Sequence, residues 1–169
     1  MKCYAVIDTN VLVSAVLSKN DDAATVKLYG RLVRGEIIPV YSKEIMNEYH
    51  EVLSRKKFRL GADLIDRVFS TIEKRGIMVE PSSTGAILPD MKDLPFYEVV
   101  MEKRDDNAYL VTGNLKHFPK EPFIVTPRQL LDILDKKKAF AELESLDLNF
   151  PEDFDADTEL KTALDDKYC

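Results

Sequence analysis

Cysteine is nearly absent from this chain, and the two that occur, Cys3 and Cys169, stand at its opposite ends. Neither a disulfide framework nor a zinc site has that spacing, so a reducing cytoplasm is the expected setting. Long apolar runs are absent too. Nothing approaches the roughly 20 apolar residues of a membrane-spanning helix, although the apolar fraction of 45% is ordinary for a globular protein. The chain passes straight into a strand-like segment, without a basic stretch and apolar leader, which predicts no secretory signal. There is no internal repeat. Its 169 residues suit one ordinary domain with some excess.

The net charge of −6 is unevenly placed. Residues 1–136 carry 20 basic and 20 acidic side chains, while residues 137–169 carry 4 and 10. Two parts follow: a neutral domain over 1–136, for which nucleic acid is an admissible partner, and an acidic C-terminal extension over 137–169. Such an extension is solvated, or mimics a polyanion and competes for a basic groove.

Short apolar or β-branched runs at residues 4–7, 37–41, 77–79, 108–112 and 123–125 read as strands. Segments of helical period lie between them, at 11–17, around 26–33, 43–54, 60–75 and 94–103, and a last one begins at Pro127 and runs to about Asp135. Gly35 and Gly76 are placed to end helices, and Ser42 and Thr126 to begin them. A weaker helical pattern covers 139–146, and 149–157 reads as extended and acidic. Strands alternating with helices predict a parallel sheet covered on both faces.

Against that pattern several polar residues stand out. Asp8, with Thr9 and Asn10, follows the first strand. Ligands of open α/β sheets bind at such carboxyl ends, although Asp8 or Thr9 capping the next helix is the plainer account. Glu48 lies in the apolar stripe of Ile45, Tyr49, Val52 and Leu53, where an unpaired charge is costly. A position at the stripe margin, reaching water, is the competing account. Asp93 precedes Leu94-Pro95 as an N-cap would, in register with Tyr97 and Val100, while Asp90 reads as a solvated turn residue. Thr112-Gly113-Asn114 closes a strand as Asp8 does. Three acids and an amide gathered at strand ends make hard oxygen ligands of the kind Mg²⁺ and Mn²⁺ take. One or two such ions suit phosphodiester hydrolysis.

These stretches together carry a resemblance. Ile7-Asp-Thr-Asn-Val-Leu-Val, then Glu48-Tyr-His-Glu-Val-Leu, Asp93-Leu-Pro-Phe, and Leu110-Val-Thr-Gly-Asn114 with His117-Phe-Pro, in this order, resemble the PIN-domain family. The likeness covers about residues 1–135 and is nearest to the bacterial and archaeal branch described as toxins of toxin–antitoxin pairs. It implies a three-layer α/β/α sandwich with a central parallel sheet and a Mg²⁺- or Mn²⁺-dependent ribonuclease. By motif match Asp8, Glu48 and Asp93 bind metal and carry catalysis, and Asn10 and Thr112 support the site. The family's fourth acid, usually Asp after Thr-Gly, is Asn114 here, which keeps an oxygen and drops a charge.

On this reading Asp8 and Asp93 ligate the ion, Glu48 ligates it or orients the attacking water, and Asn114 completes the shell or holds a substrate phosphate. Arg55, Lys56, Lys57 and Arg59 would contact the backbone of single-stranded RNA, with Lys116, and Phe58 would stack on a base. A solvated turn with Phe58 in the core is the alternative for that cluster, and a surface loop for Lys116, His117 and His50. A small antitoxin protein and a second copy of the chain are the implied protein partners. Two other functions compete: a PIN-fold module that binds RNA or a protein without cutting, favoured by Asn114, and a phosphoacceptor domain. The latter wants further acids beside the first strand and a lysine after the last, where this chain has Thr9-Asn10 and Thr126-Pro127.

Overall fold

A computed structural model describes residues 2–146, 155, 157–159 and 161–163. Its sheet comprises β1 (Cys3–Ile7), β2 (Ile37–Tyr41), β3 (Ile77–Met78), β4 (Tyr109–Val111) and β5 (Ile124–Val125). All pairings are parallel, in the order β3-β2-β1-β4-β5. The helices are α1 (Thr9–Leu17), α2 (Ala24–Val33), α3 (Lys43–Leu53), α4 (Ala62–Arg75), α5 (Leu94–Glu102) and α6 (Pro127–Ser145).

Strand β1 is central, and its Ala5, Val6 and Ile7 are buried on both faces, as a covered parallel sheet requires. Right-handed crossovers place helices by the direction of each step along the sheet. Steps from β1 to β2 to β3 run one way and put α2 and α4 on one face, where α2 packs against α4, α6 and β2. The return from β3 to β4 puts α5 on the other face, against β1, β2 and β4. Phe96, Val99 and Val100 of α5 are fully buried there. The layers are therefore α/β/α, with α1 and α3 touching each other beyond the strand ends.

Helix ends follow local chemistry. Gly35, at φ 79°, closes α2 while Glu36 N–H reaches back to Arg31 O at 3.0 Å and Gly35 N–H to Leu32 O at 2.9 Å. Gly76 ends α4 for a different reason: a Cβ there would lie 2.6 Å from the carbonyl oxygens of both Ile72 and Pro39. The last helix departs from expectation. It does not stop near Asp135 but continues to Ser145, absorbing the separate short helix expected after it. Between Asp135 and Ser145 there is no Gly or Pro, and Lys, Ala, Glu and Leu all favour helix.

The extended acidic stretch expected at 149–157 lies outside the described residues apart from Asp155 and Asp157. Asp157 approaches Lys137 at 3.7 Å, and that ammonium stands 6.0 Å from the Tyr109 ring. Tyr109 begins β4, so this contact is at the amino edge of the sheet, opposite to Asp8. No helix among the described residues is long and apolar enough to cross a membrane.

Candidate metal centre

Chain direction along the sheet reverses between β1 and β4, and their carboxyl ends form the switch point where α/β sheets bind ligands. Asp8 N–H continues the ladder to Val111 O at 2.9 Å, which brings Asp8 beside Thr112. Both are buried, at 5% and 0% exposure. Thr112 Oγ1 donates to Asp8 Oδ2 at 2.7 Å and accepts Asn114 N–H at 3.0 Å. Asp8 occupies the N-cap position of α1, yet its side chain makes no capping hydrogen bond. The Thr9 and Asn10 amides still act on its carboxylate, more weakly than the Thr112 hydroxyl.

Glu48 arrives from α3, on the stripe that buries Ile45, Tyr49 and Leu53. It is half-buried. Its Oε1 accepts from Thr9 Oγ1 at 2.6 Å. The next residue, Tyr49, donates its buried hydroxyl to Ile7 O. Two consecutive side chains thus fasten α3 to the junction of β1 and α1.

Asp93 is supplied by a 3₁₀ turn, Met91–Asp93, that leads into α5. It stands at the N-cap of α5 and, like Asp8, makes no capping bond. Its Oδ2 instead lies 2.8 Å from His117 Nδ1. His117 Nε2 lies 2.8 Å from Asn114 Nδ2, and both residues belong to the turn after β4. Asp90 accepts Lys92 N–H at 3.0 Å, as a turn residue should, but it also faces Asp93. Among the described residues, Asp90, Asp93 and His117 form a group whose potential ligand atoms all lie within 4.8 Å of one another. Asp8 and Glu48 are not part of that tighter group.

The electrostatics tie the acids together. Burial raises the Asp8 carboxyl above its ordinary range, opposed by the Thr112 hydroxyl and reinforced by the charge of Asp93. Burial likewise raises Glu48, opposed by Thr9 and reinforced by Asp8 and Asp93. Asp93 is raised by burial, opposed by His117 and reinforced by Asp90. Three carboxylates that burial and mutual repulsion push toward protonation are relieved by a cation. One oxygen of each is fixed by a side-chain donor, Asp8 Oδ2, Glu48 Oε1 and Asp93 Oδ2, which leaves the other outside those bonds. Hard oxygen donors of this kind fit Mg²⁺ or Mn²⁺.

The remaining expected residues are not all brought here. The Asn10 side chain is exposed on the first turn of α1, and only its backbone amide acts on Asp8. Arg55, Lys56, Lys57 and Arg59 lie in the turn between α3 and α4, with Arg55 at seven residues, or roughly 10 Å of helix rise, beyond Glu48. Arg55 pairs with Glu51 at 3.3 Å, and the Lys57 ammonium lies 4.9 Å from the half-buried Phe58 ring. Lys116 is exposed, beside His117. Sequence reading missed Thr9, His117 and Asp90 as parts of the site. Only His117 left a trace, its spacing of three from Asn114, one turn of a 3₁₀ helix.

A family model for the PIN domain matches residues 4–116. Neither the curated proteins nor the solved structures yield a match.

Proposed function

The chain belongs to the PIN-domain family, and on that premise we propose that it is a metal-dependent endoribonuclease cutting phosphodiester bonds of single-stranded RNA. The observation that carries this reading is the gathering of Asp8, Glu48 and Asp93, from three separate elements, each with one carboxylate oxygen held by a side chain, Thr112, Thr9 and His117. These three residues would hold Mg²⁺ or Mn²⁺, and Asn114 would add a neutral oxygen. A divalent ion held there would supply Lewis acidity, activating a water and offsetting charge on the phosphoryl oxygens. Thr9 and Thr112 fix the carboxylates that hold it, so little reorganisation is needed when substrate arrives. Arg55, Lys56, Lys57, Arg59 and Lys116 contact RNA phosphates, which makes binding fall with salt.

The test is cleavage of mixed single-stranded RNA by the purified chain with Mg²⁺, with Mn²⁺ and with chelator. Metal-dependent cutting that Asp8→Asn abolishes is the expected result. Absence of cutting in every condition, by a chain shown to be folded, favours the second reading: a PIN module that binds RNA or a protein without cleaving it. Asn114, an amide at the family's fourth acidic position, supports that reading. As the toxin of a toxin–antitoxin pair the chain would arrest growth when expressed alone, Asp8→Asn would not, and a small antitoxin protein would restrain it. A homodimer is the further expected assembly, tested by light scattering.

A further inference from the structure

The imidazole of His117 is held at both nitrogens. Asn114 Nδ2, at 2.8 Å from Nε2, has only hydrogens to offer. With the amide turned this way and Asp93 ionised, Nε2 accepts and Nδ1 donates to Asp93 Oδ2 at 2.8 Å. On its other side Asn114 gives its backbone N–H to Thr112 Oγ1 at 3.0 Å, and that hydroxyl donates to Asp8 Oδ2 at 2.7 Å. An unbroken run of hydrogen bonds joins Asp93 to Asp8 through His117, Asn114 and Thr112. Local geometry makes it possible: Asn114 precedes the 3₁₀ turn Leu115–His117, in which residues three apart lie over one another.

We propose that His117 is a positioning residue that fixes Asp93 and commits the amide of Asn114 to the ring, leaving Asn114 Oδ1 as the atom available to a divalent ion. The role toward the ion rests on the nuclease reading above; the hydrogen-bond run does not. Asn114 is then no degraded acid. An aspartate at that position has no hydrogen to give Nε2, so the amide is what matches a ring carrying one proton. The site is built around three carboxylates and one oriented neutral oxygen, with the ring supporting two of the four.

Two measurements on the full chain test this. The first is the long-range ¹H–¹⁵N spectrum of the imidazole nitrogens, with His50→Gln to separate the two rings. His117 is expected as the Nδ1–H tautomer in the metal-free wild type, reverting in Asn114→Ala to the Nε2–H form that free imidazoles prefer. An Nε2–H ring in the wild type overturns the proposal. The second is Mn²⁺ affinity by calorimetry. His117→Ala is expected to weaken binding by about 10- to 100-fold, as loss of a ligand's supporting partner does. His117→Asn, whose amide nitrogen can stand in for Nδ1, is expected to recover part of that loss, which a general loss of packing would not allow. Unchanged affinity in His117→Ala overturns the positioning role. An Nδ1–H ring in a wild-type chain that binds no Mn²⁺ overturns the nuclease reading instead and leaves the hydrogen-bond run standing.

Discussion

Ser42 and Thr126 follow β2 and β5, and Asp8 follows β1; with Asp93 these are four polar residues at helix starts. Two of them behave as caps. Ser42 Oγ accepts Ile45 N–H at 3.2 Å, and Thr126 Oγ1 accepts Gln129 N–H at 3.2 Å in a reciprocal capping box. Asp8 and Asp93 occupy the same kind of position without a capping hydrogen bond, and on Asp8 the Thr9 and Asn10 amides act less than the Thr112 hydroxyl does. Their carboxylates are drawn instead to Thr112 and His117, partners 104 and 24 residues away. The difference teaches that a capping residue type does not decide its own use. A hydroxyl beside an ordinary helix start stabilises the helix. A carboxylate at the sheet's switch point meets donors from other elements and stabilises a site.

The contrast can be broken most directly at Asp8. Asp8→Asn is expected to lower kcat for RNA cleavage by a factor on the order of 10³, as when a group stabilising reaction charge is removed. Thermal unfolding of the metal-free variant should show no loss of stability, because the charge removed is one that burial disfavours. Addition of Mn²⁺ at 100 times its dissociation constant should stabilise the wild type by about 2.7 kcal/mol and the variant far less.

A second substitution probes the donor side. Thr112→Val keeps the shape but strips a hydroxyl that serves both Asp8 and Asn114 in a fully buried place. Denaturant titration should register a loss of roughly 1–3 kcal/mol, the usual penalty for stranding buried polar groups. The true caps give the converse result. Thr126→Ala should lose about 1 kcal/mol of stability while RNA cleavage stays at the wild-type rate. Equal loss of activity in that variant would erase the distinction drawn here.

The smallest effect is in pH. Asp8, Glu48 and Asp93 are all raised in the folded chain, so it retains protons that the unfolded chain has released. Where the folded state binds more protons, stability falls as pH rises. With chelator present, unfolding midpoints should therefore decline as pH climbs from about 4, the unfolded carboxylate range, through the raised values. Asp8→Asn should flatten that decline, and Mn²⁺ should oppose it.

Much of the fold was legible because its determinants are local. Runs such as residues 37–41 are apolar and largely β-branched, and the stripe Ile45, Tyr49, Leu53 has helical period. Gly35 and Gly76 end helices where the pattern stops. The last helix runs past Asp135 to Ser145 because nothing in its lysine run stops a helix, although the helical pattern weakens there. In the site, Asp8, Glu48 and Asp93 were conspicuous as acids in apolar company. Thr9 was read as a possible cap and Asn10 as a support. On α1 Thr9 is buried toward Glu48, while Asn10 is exposed and acts on Asp8 through its backbone amide.

By itself, then, the sequence determined the alternation of strand and helix, the points where helices start and stop, and the presence of acids where apolar residues were due. Each of these depends on neighbours within a few positions. Only the tertiary structure decided which oxygen of each acid is held, that Asp8 and Asp93 do not cap their helices, and that His117 stands between Asp93 and Asn114. Those outcomes depend on donors that the strand order β2-β1-β4 brings together from distant parts of the chain. No local preference encodes a hydrogen bond across 104 residues.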